Sequence, residues 1–87
     1  MRDKSLIRQT KLQMPAGDAR RLRTLIDRSE RGELRPEDVD EYRRLAALAE
    51  RISASRFRAL AELALRRKQP IDQLKQEIGW REERHGA

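Results

Sequence analysis

The feature that most constrains this chain is a run of apolar residues with helical spacing between Pro36 and Lys68. Two stripes recur within it at intervals of three and four residues. The first stripe comprises Tyr42, Leu45, Leu48, Ala49 and Ile52, and the second comprises Phe57, Leu60, Ala61 and Ala64. This spacing places apolar side chains on one face of an α-helix, so each stripe predicts helical structure.

The two stripes are out of phase, which leaves two interpretations of residues 36–68. Continuing the first stripe would place Arg56 near the centre of the buried face. In one interpretation, a single helix from residue 36 to 68 twists its apolar face, and Arg56 is paired or snorkels. In the other, the helix breaks at Ser53–Ser55, because serine caps helices well. One helix would hold about 33 residues, about three times the usual mean of about 11–12. We therefore favour two helices, 36–52 and 55–68.

Two further helices are predicted before this stretch. Residues 3–13 are a weak candidate, because no good capping residue precedes them and their apolar stripe is narrow. Residues 19–31 are a stronger candidate, since Asp18 can cap the first turn. Gly32 follows at the left-handed position that glycine adopts cheaply. The short link to the central stretch favours an antiparallel arrangement of neighbouring helices.

The last predicted helix covers residues 71–78 and ends at Gly79. Trp80 then occupies a position that often packs back onto the preceding turn, here against Leu74. The predicted architecture is therefore all-α, a small bundle of four to five short helices. The central stretch contributes either two of them or one long kinked helix.

The whole chain, residues 1–87, is short enough for a single small domain. The chain contains three aromatic residues, so the core must consist mostly of leucine, isoleucine and alanine. Phe57 is assigned to the core, and Tyr42 to the core or its edge. This domain includes a basic N-terminal segment, residues 1–17. The charged residues 81–87 are expected to fray.

The composition excludes several classes of protein. The chain has no cysteine, so disulfides, thiolate metal sites and cysteine nucleophiles are absent. The longest apolar run, residues 45–49, is far shorter than a membrane span, and residues 1–4 lead into no apolar segment of a secretory signal. A cytoplasmic protein is expected. Seventeen arginines against four lysines, without asparagine, suggest a GC-rich bacterial genome.

No residue pattern predicts catalysis, a metal site or a cofactor site. The one histidine, His85, lies near the end of the chain, where nothing orients it. The four glycines are too scattered for a phosphate-binding loop, and residues 38–41 lack the spacing and glycine of a calcium loop. Most carboxylates lie one helical turn from an arginine, which is typical of solvated ion pairs. We therefore expect a non-enzymatic protein.

Residues 70–80 resemble the first helix and turn glycine of a helix-turn-helix motif. The matching run is PIDQLKQEIGW, and residues 57–67 would be the supporting helix. In that family the next helix enters the major groove of DNA. Here residues 81–87 are too few for such a recognition helix. The resemblance covers about a quarter of the chain and does not assign the chain to the family.

The net charge of +6 is concentrated in the first 23 residues. These residues carry seven basic and two acidic side chains, a net charge of +5, whereas the remaining 64 residues are nearly neutral. The basic side chains are Arg2, Lys4, Arg8, Lys11, Arg20, Arg21 and Arg23. Such a cluster can attract nucleic acid or an acidic protein surface.

These observations leave two functions. We favour a regulatory protein that binds another protein, for example a transcription factor, through a charged helical surface. Tryptophan and arginine dominate protein interfaces, and the candidate residues are Arg20, Arg21, Arg23, Arg28, Trp80 and Arg81. The alternative is a DNA-binding transcription regulator that uses the basic N-terminal cluster. A homodimer is compatible with both functions, and no membrane partner is expected.

Overall fold

The long central helix is continuous across the predicted break. The computed structural model describes residues 2–82, and these residues form four α-helices and one 3₁₀ turn, with no strand among them. The helices are α1 (Asp3–Thr10), α2 (Ala16–Glu30), α3 (Val39–Arg67) and α4 (Ile71–Ile78), and the 3₁₀ turn covers Pro36–Asp38. The predicted all-α class is therefore confirmed. The preferred break at Ser53–Ser55 is wrong, and the single long helix is the correct alternative.

The uninterrupted helix follows from the way in which Arg56 is accommodated. Continuing the first apolar stripe buries this residue, and the Arg56 side chain is indeed 5% exposed. Its guanidinium donates hydrogen bonds to two main-chain carbonyls, those of Thr10 and Arg81. Because a buried charge with partners is tolerated, the stripe does not need to end at the serines.

The continuous helix also corrects the assignment of Phe57, which is 54% exposed. The buried face of this part of α3 is lined by Arg56, Ala59, Leu60 and Leu63. Phe57 follows Arg56 by one residue, a rotation of about 100° around the helix, which turns its ring away from the core. The prediction that Phe57 lies in the core is therefore wrong.

The chain folds into two compact units, and each of them contains a part of α3. Among the described residues, one unit comprises 14–51, and the other comprises 2–13 together with 52–82. We call these the α2 unit and the α1/α4 unit. The prediction that the chain is a single domain remains a prediction.

The α2 unit packs α2 against the first part of α3. Its buried side chains are Leu22, Leu25, Leu45 and Ala49. Partly buried side chains surround them, namely Met14, Ile26, Leu34, Tyr42 and Ala46. Tyr42 thus lies at the core edge, as predicted.

Helix α2 begins at Ala16, three residues earlier than predicted. Pro15 has an extended backbone and precedes the helix, and no side chain caps its first turn. Asp18 lies inside the first turn, where its negative charge faces the positive end of the helix dipole. The predicted stop is confirmed, because Gly32 has a φ of 70° in the left-handed region.

The α1/α4 unit packs α1 and α4 against the second part of α3. Its buried side chains are Leu6, Ala59, Leu60, Leu63, Ala64 and Leu74. Helix α1 is shorter than the predicted 3–13 and ends at Thr10, which is buried together with Leu6. Asp3 anchors its start through ion pairs with Arg66 and Arg67, at 3.6 and 3.7 Å.

Helix α4 has the predicted bounds, and Gly79 ends it with a φ of 68°. The break before it lies at Lys68, a non-glycine residue with a φ of 53°. Trp80 is partly buried and packs against the cluster that contains Leu74, which confirms its predicted placement. The predicted frayed tail comprises residues 81–87. Residues 83–87, which include His85, lie outside the described residues.

Candidate binding surfaces

Trp80 lies between two cationic side chains of the α1/α4 unit. The Arg56 guanidinium carbon is 4.4 Å from the centroid of the indole ring, and the Lys75 ammonium is 5.9 Å from it. Cations at these distances are attracted to the electron-rich face of the ring. The indole therefore contributes to the structure that holds Arg56, in addition to closing α4 onto the core.

The environment of Trp80 opens on one side into a shallow depression. It is lined by Asp72, Lys75, Gln76, Gly79, Trp80 and Glu82. The Lys75 ammonium donates a hydrogen bond to Glu82 at 3.1 Å. This hydrogen bond, and the charge of Lys75, hold the pKa of Glu82 below its usual value. The depression is open and has mostly polar or charged walls, so it is a poor cavity for an apolar ligand.

The indole N–H of Trp80 is buried and makes no hydrogen bond of normal geometry within residues 2–82. Arg81, which was predicted to bind a partner, is exposed. Its main-chain carbonyl accepts a hydrogen bond from Arg56 Nη2 at 2.6 Å. The backbone at Arg81 is thus part of the structural support, while its side chain faces solvent.

Two of the predicted partner-binding arginines are engaged inside the α2 unit. Arg28 Nη1 lies 3.2 Å from Asp38 Oδ2, and Arg21 Nη2 lies 3.5 Å from Asp38 Oδ1. Asp38 is 5% exposed, and its carboxylate also accepts from the Arg35 main-chain N–H at 3.4 Å. These contacts join α2 to the start of α3. Arg21 and Arg28 therefore act first as structural residues.

The Arg21 side chain makes its shortest contact with Glu41. Arg21 Nε donates to Glu41 Oε1 at 2.9 Å, and Nη2 lies 2.8 Å from the same oxygen. This hydrogen bond raises the pKa of Arg21 above its usual value. It lowers the pKa of Glu41, with the positive charge of Arg21 as a further cause. The sequence pattern gave no sign of this pair, because the two residues are 20 positions apart.

The other basic candidates remain exposed. Arg20 and Arg23 lie on α2 and have no ion pair within the part of the chain that the structure describes. Arg2, Lys4, Arg8 and Lys11 are exposed in the α1/α4 unit. The predicted basic cluster is thus divided between the two compact units. Each unit presents its own smaller set of basic side chains.

The basic residues around α1 form a face of their own. Lys4, Arg8 and Lys11 are spaced by four and three residues, so they lie on one side of the helix and just beyond its end. Leu6 and Thr10 occupy the buried side. No ion pair involves these three basic side chains among residues 2–82. We call this surface the α1 basic face.

An apolar surface that the sequence did not predict lies on α3 within the α1/α4 unit. Leu65 is 79% exposed and Phe57 is 54% exposed. Ala61 lies midway between them and is partly exposed, and Ala54 is exposed one turn before Phe57. Intervals of three and four residues place these four side chains along one side of the helix. We call the surface formed by Ala54, Phe57, Ala61 and Leu65 the α3 apolar face.

The spacing of the α3 apolar face was visible in the sequence, but its exposure was not. Phe57 and Ala61 belong to the second apolar stripe, whose spacing predicts a buried face. Leu65 fits the same stripe, four residues after Ala61. Only the position of α1 and α4 on the other side of α3 distinguishes the exposed stripe from the buried one.

Within residues 2–82, no group of three or more potential metal-ligating side chains comes together. No helix in the same range has the length and apolarity to cross a bilayer. No protein-family model, curated protein or solved structure matches the chain.

Proposed function

We propose that this chain is a small non-enzymatic regulatory protein that acts by binding another polypeptide chain through the α3 apolar face. The observation that carries the proposal is the exposure of Leu65 and Phe57 on one side of a continuous helix. Large apolar side chains that are grouped on a surface mark protein interaction sites more often than isolated ones do. A helix with such a stripe is suited to packing against a second amphipathic helix.

The charged side chains next to this face support protein as the ligand. Arg58 and Glu62 are exposed beside Phe57 and Ala61, so the apolar residues have charges of both signs at their edge. An apolar centre with a polar rim is the usual organisation of a protein interface. The cytoplasmic location, the bacterial origin and the regulatory role remain predictions from composition and from the absence of catalytic patterns in the sequence.

The test is capture of protein from extract of the source cells, with and without nuclease. The double substitution Phe57→Ser and Leu65→Ser should remove the captured protein, because it deletes the large apolar contacts. The matched control is Arg20→Gln with Arg23→Gln, which changes two exposed side chains on α2. Loss of capture in the control together with retention in the apolar variant would contradict the proposed surface and favour the arginines.

The second candidate function is binding of nucleic acid, and the α1 basic face favours it. Three exposed basic side chains on one side of a helix can each neutralise a backbone phosphate. Against this function, Arg20, Arg21 and Arg23 belong to the other compact unit, and Arg21 is held by Glu41 and Asp38. The protein-binding function therefore remains the first proposal.

The nucleic-acid function can be tested by fluorescence anisotropy with a mixed-sequence DNA duplex at two salt concentrations. Three phosphate contacts would give a log–log salt slope of about −3. The variant Lys4→Gln, Arg8→Gln, Lys11→Gln should remove that slope, while Arg20→Gln with Arg23→Gln serves as the control. Absence of binding below about 100 μM near physiological salt, weaker than ordinary nonspecific binding, would exclude this function.

A further inference from the structure

The part of the α3 apolar face between Phe57 and Leu65 has the same order of large and small side chains in both directions from Ala61. Phe57 precedes Ala61 by four residues and Leu65 follows it by four, so a large side chain lies about one turn away on each side of a small one. Both large side chains are more than half exposed. A surface with this arrangement is complementary to a second copy of itself in the opposite direction.

We propose that α3 of a second copy of this chain packs antiparallel on the α3 apolar face and forms a homodimer centred on Ala61. This inference rests on the proposed function, because it names the polypeptide that covers the same face. In such a pair Phe57 lies opposite Leu65 of the second copy, and the same contact occurs twice because the interface is isologous. The small side chain of Ala61 at the crossing point permits close approach of the two helices.

The charges at the edge of the face favour the antiparallel direction. Arg58 and Glu62 are exposed on the same edge, one turn apart. In an antiparallel two-fold pair this edge faces the same edge of the second copy, so Arg58 comes within reach of Glu62. A parallel two-fold pair in register would instead place the two copies of this edge on opposite sides of the interface, so Arg58 and Glu62 of different copies would not meet. Within the same helix, Glu62 also accepts a hydrogen bond from Arg66 at 3.0 Å. This hydrogen bond is exposed to solvent, so the Glu62 carboxylate remains accessible.

The apolar part of this surface is small. Two large and two small apolar side chains per copy cover less than the ~800 Å² that each partner contributes to a standard interface. The dimer is therefore expected to depend on protein concentration and to dissociate on dilution. Measurements need a concentration series rather than a single sample.

The direction and centre of the pair can be tested by cysteine crosslinking, because the natural chain contains no cysteine. In the proposed dimer, Ala61→Cys places two thiols next to each other at the two-fold axis, so mild oxidation should produce a covalent dimer. The matched control is Ala54→Cys, an alanine on the same face. Its two thiols would be separated by about 14 residues along the helices, roughly 21 Å, and should not crosslink.

The charge contacts can be tested in the chain without cysteine by sedimentation velocity over a concentration series. Arg58→Glu and Glu62→Arg should each weaken self-association several-fold, because each places like charges together twice. The double variant Arg58→Glu with Glu62→Arg restores opposite charges and should recover association. Circular dichroism of each variant checks that the helices are retained.

Equal crosslinking of the Ala54→Cys and Ala61→Cys variants would overturn the antiparallel pair, since a parallel pair brings both positions together. A chain that remains monomeric at all concentrations would also overturn the inference. If capture of a cellular protein still depends on Phe57 and Leu65 in that case, the proposed function stands and its partner is a different protein. If capture does not depend on them either, both proposals fail.

Discussion

Arg56 Nε lies 2.9 Å from the main-chain oxygen of Thr10, a residue 46 positions earlier in the chain. The bond joins the second part of α3 to the last residue of α1. The same guanidinium donates to the Arg81 carbonyl beyond α4 and covers the indole of Trp80. One buried side chain thus connects three segments of the α1/α4 unit.

We expect Arg56→Ala to destabilise the protein by about 3 kcal/mol, because the buried Thr10 carbonyl loses its donor, which costs about 1–3 kcal/mol, and because the contacts of Arg56 with the Arg81 carbonyl and the Trp80 ring are lost as well. Arg56→Lys should recover part of this loss, since an ammonium keeps the charge but not the planar geometry of the donors. Urea denaturation followed by circular dichroism measures both. Equal stability of the wild type and the alanine variant would show that the contacts contribute nothing.

A second prediction concerns the continuity of α3. Ala54 is exposed in the middle of the predicted break. In a continuous helix Ala54→Pro should cost about 3 kcal/mol, because it removes a main-chain hydrogen bond and clashes with the preceding turn. Ala54→Gly should cost about 1 kcal/mol and serves as the control. A proline variant as stable as the glycine variant would indicate that the helix is interrupted at this position.

Truncation of Leu60 and truncation of Phe57 to alanine should reduce stability by different amounts. Leu60 is fully buried, so Leu60→Ala is expected to cost about 2–5 kcal/mol through lost burial and a cavity. Phe57→Ala should cost less than about 1 kcal/mol, because the ring is largely exposed. Thermal and urea unfolding of the two variants provide the comparison. A large loss of stability in Phe57→Ala would show that the Phe57 ring is buried in the core.

Two substitutions of Trp80 can distinguish the contribution of its ring to stability from that of its N–H group. Trp80→Ala should reduce stability by about 2–3 kcal/mol, because the ring packs on the core and beneath Arg56. Trp80→Phe keeps an aromatic face and removes a buried N–H that lacks a hydrogen bond of normal geometry, so its cost should stay within about 1 kcal/mol. A phenylalanine variant as unstable as the alanine variant would mean that the N–H group has an essential partner.

The Arg21–Glu41 pair predicts a dependence of stability on pH. The folded protein holds the pKa of Glu41 below its ordinary value of 4.5, chiefly through the hydrogen bond from Arg21. The folded state therefore binds fewer protons than the unfolded state, and the pair stabilises the fold above the ordinary pKa. This contribution is lost as the pH falls through the lower folded pKa.

The measurement is the difference in unfolding free energy between the wild type and Glu41→Gln, determined by urea titration at about pH 7 and about pH 3. The wild type should be the more stable at the higher pH, and the difference should shrink in acid. Glu50→Gln changes an exposed glutamate of the same helix and controls for loss of a charge. A difference between wild type and Glu41→Gln that does not change with pH would contradict the role of the pair.

The sequence alone determined the all-α class, the bounds of α4 and the glycine stops after α2 and α4. These features depend on short-range rules, because helical periodicity and the left-handed preference of glycine act within a few residues. The sequence also identified both alternatives for the central stretch, including the position of Arg56 on the buried face. It could not choose between them, since the choice depends on whether distant carbonyls are available to a buried guanidinium.

Only the tertiary structure decided that choice, and with it the exposure of Phe57 and the roles of the arginines. Thr10 and Arg81 lie 46 and 25 residues from Arg56, and Asp38 lies 17 and 10 residues from Arg21 and Arg28. Contacts at these separations leave no periodic pattern in the sequence. A buried charge is stable only when its partners are in place, so the packing of α1 and α4 determines which face of α3 is core and which is free to bind.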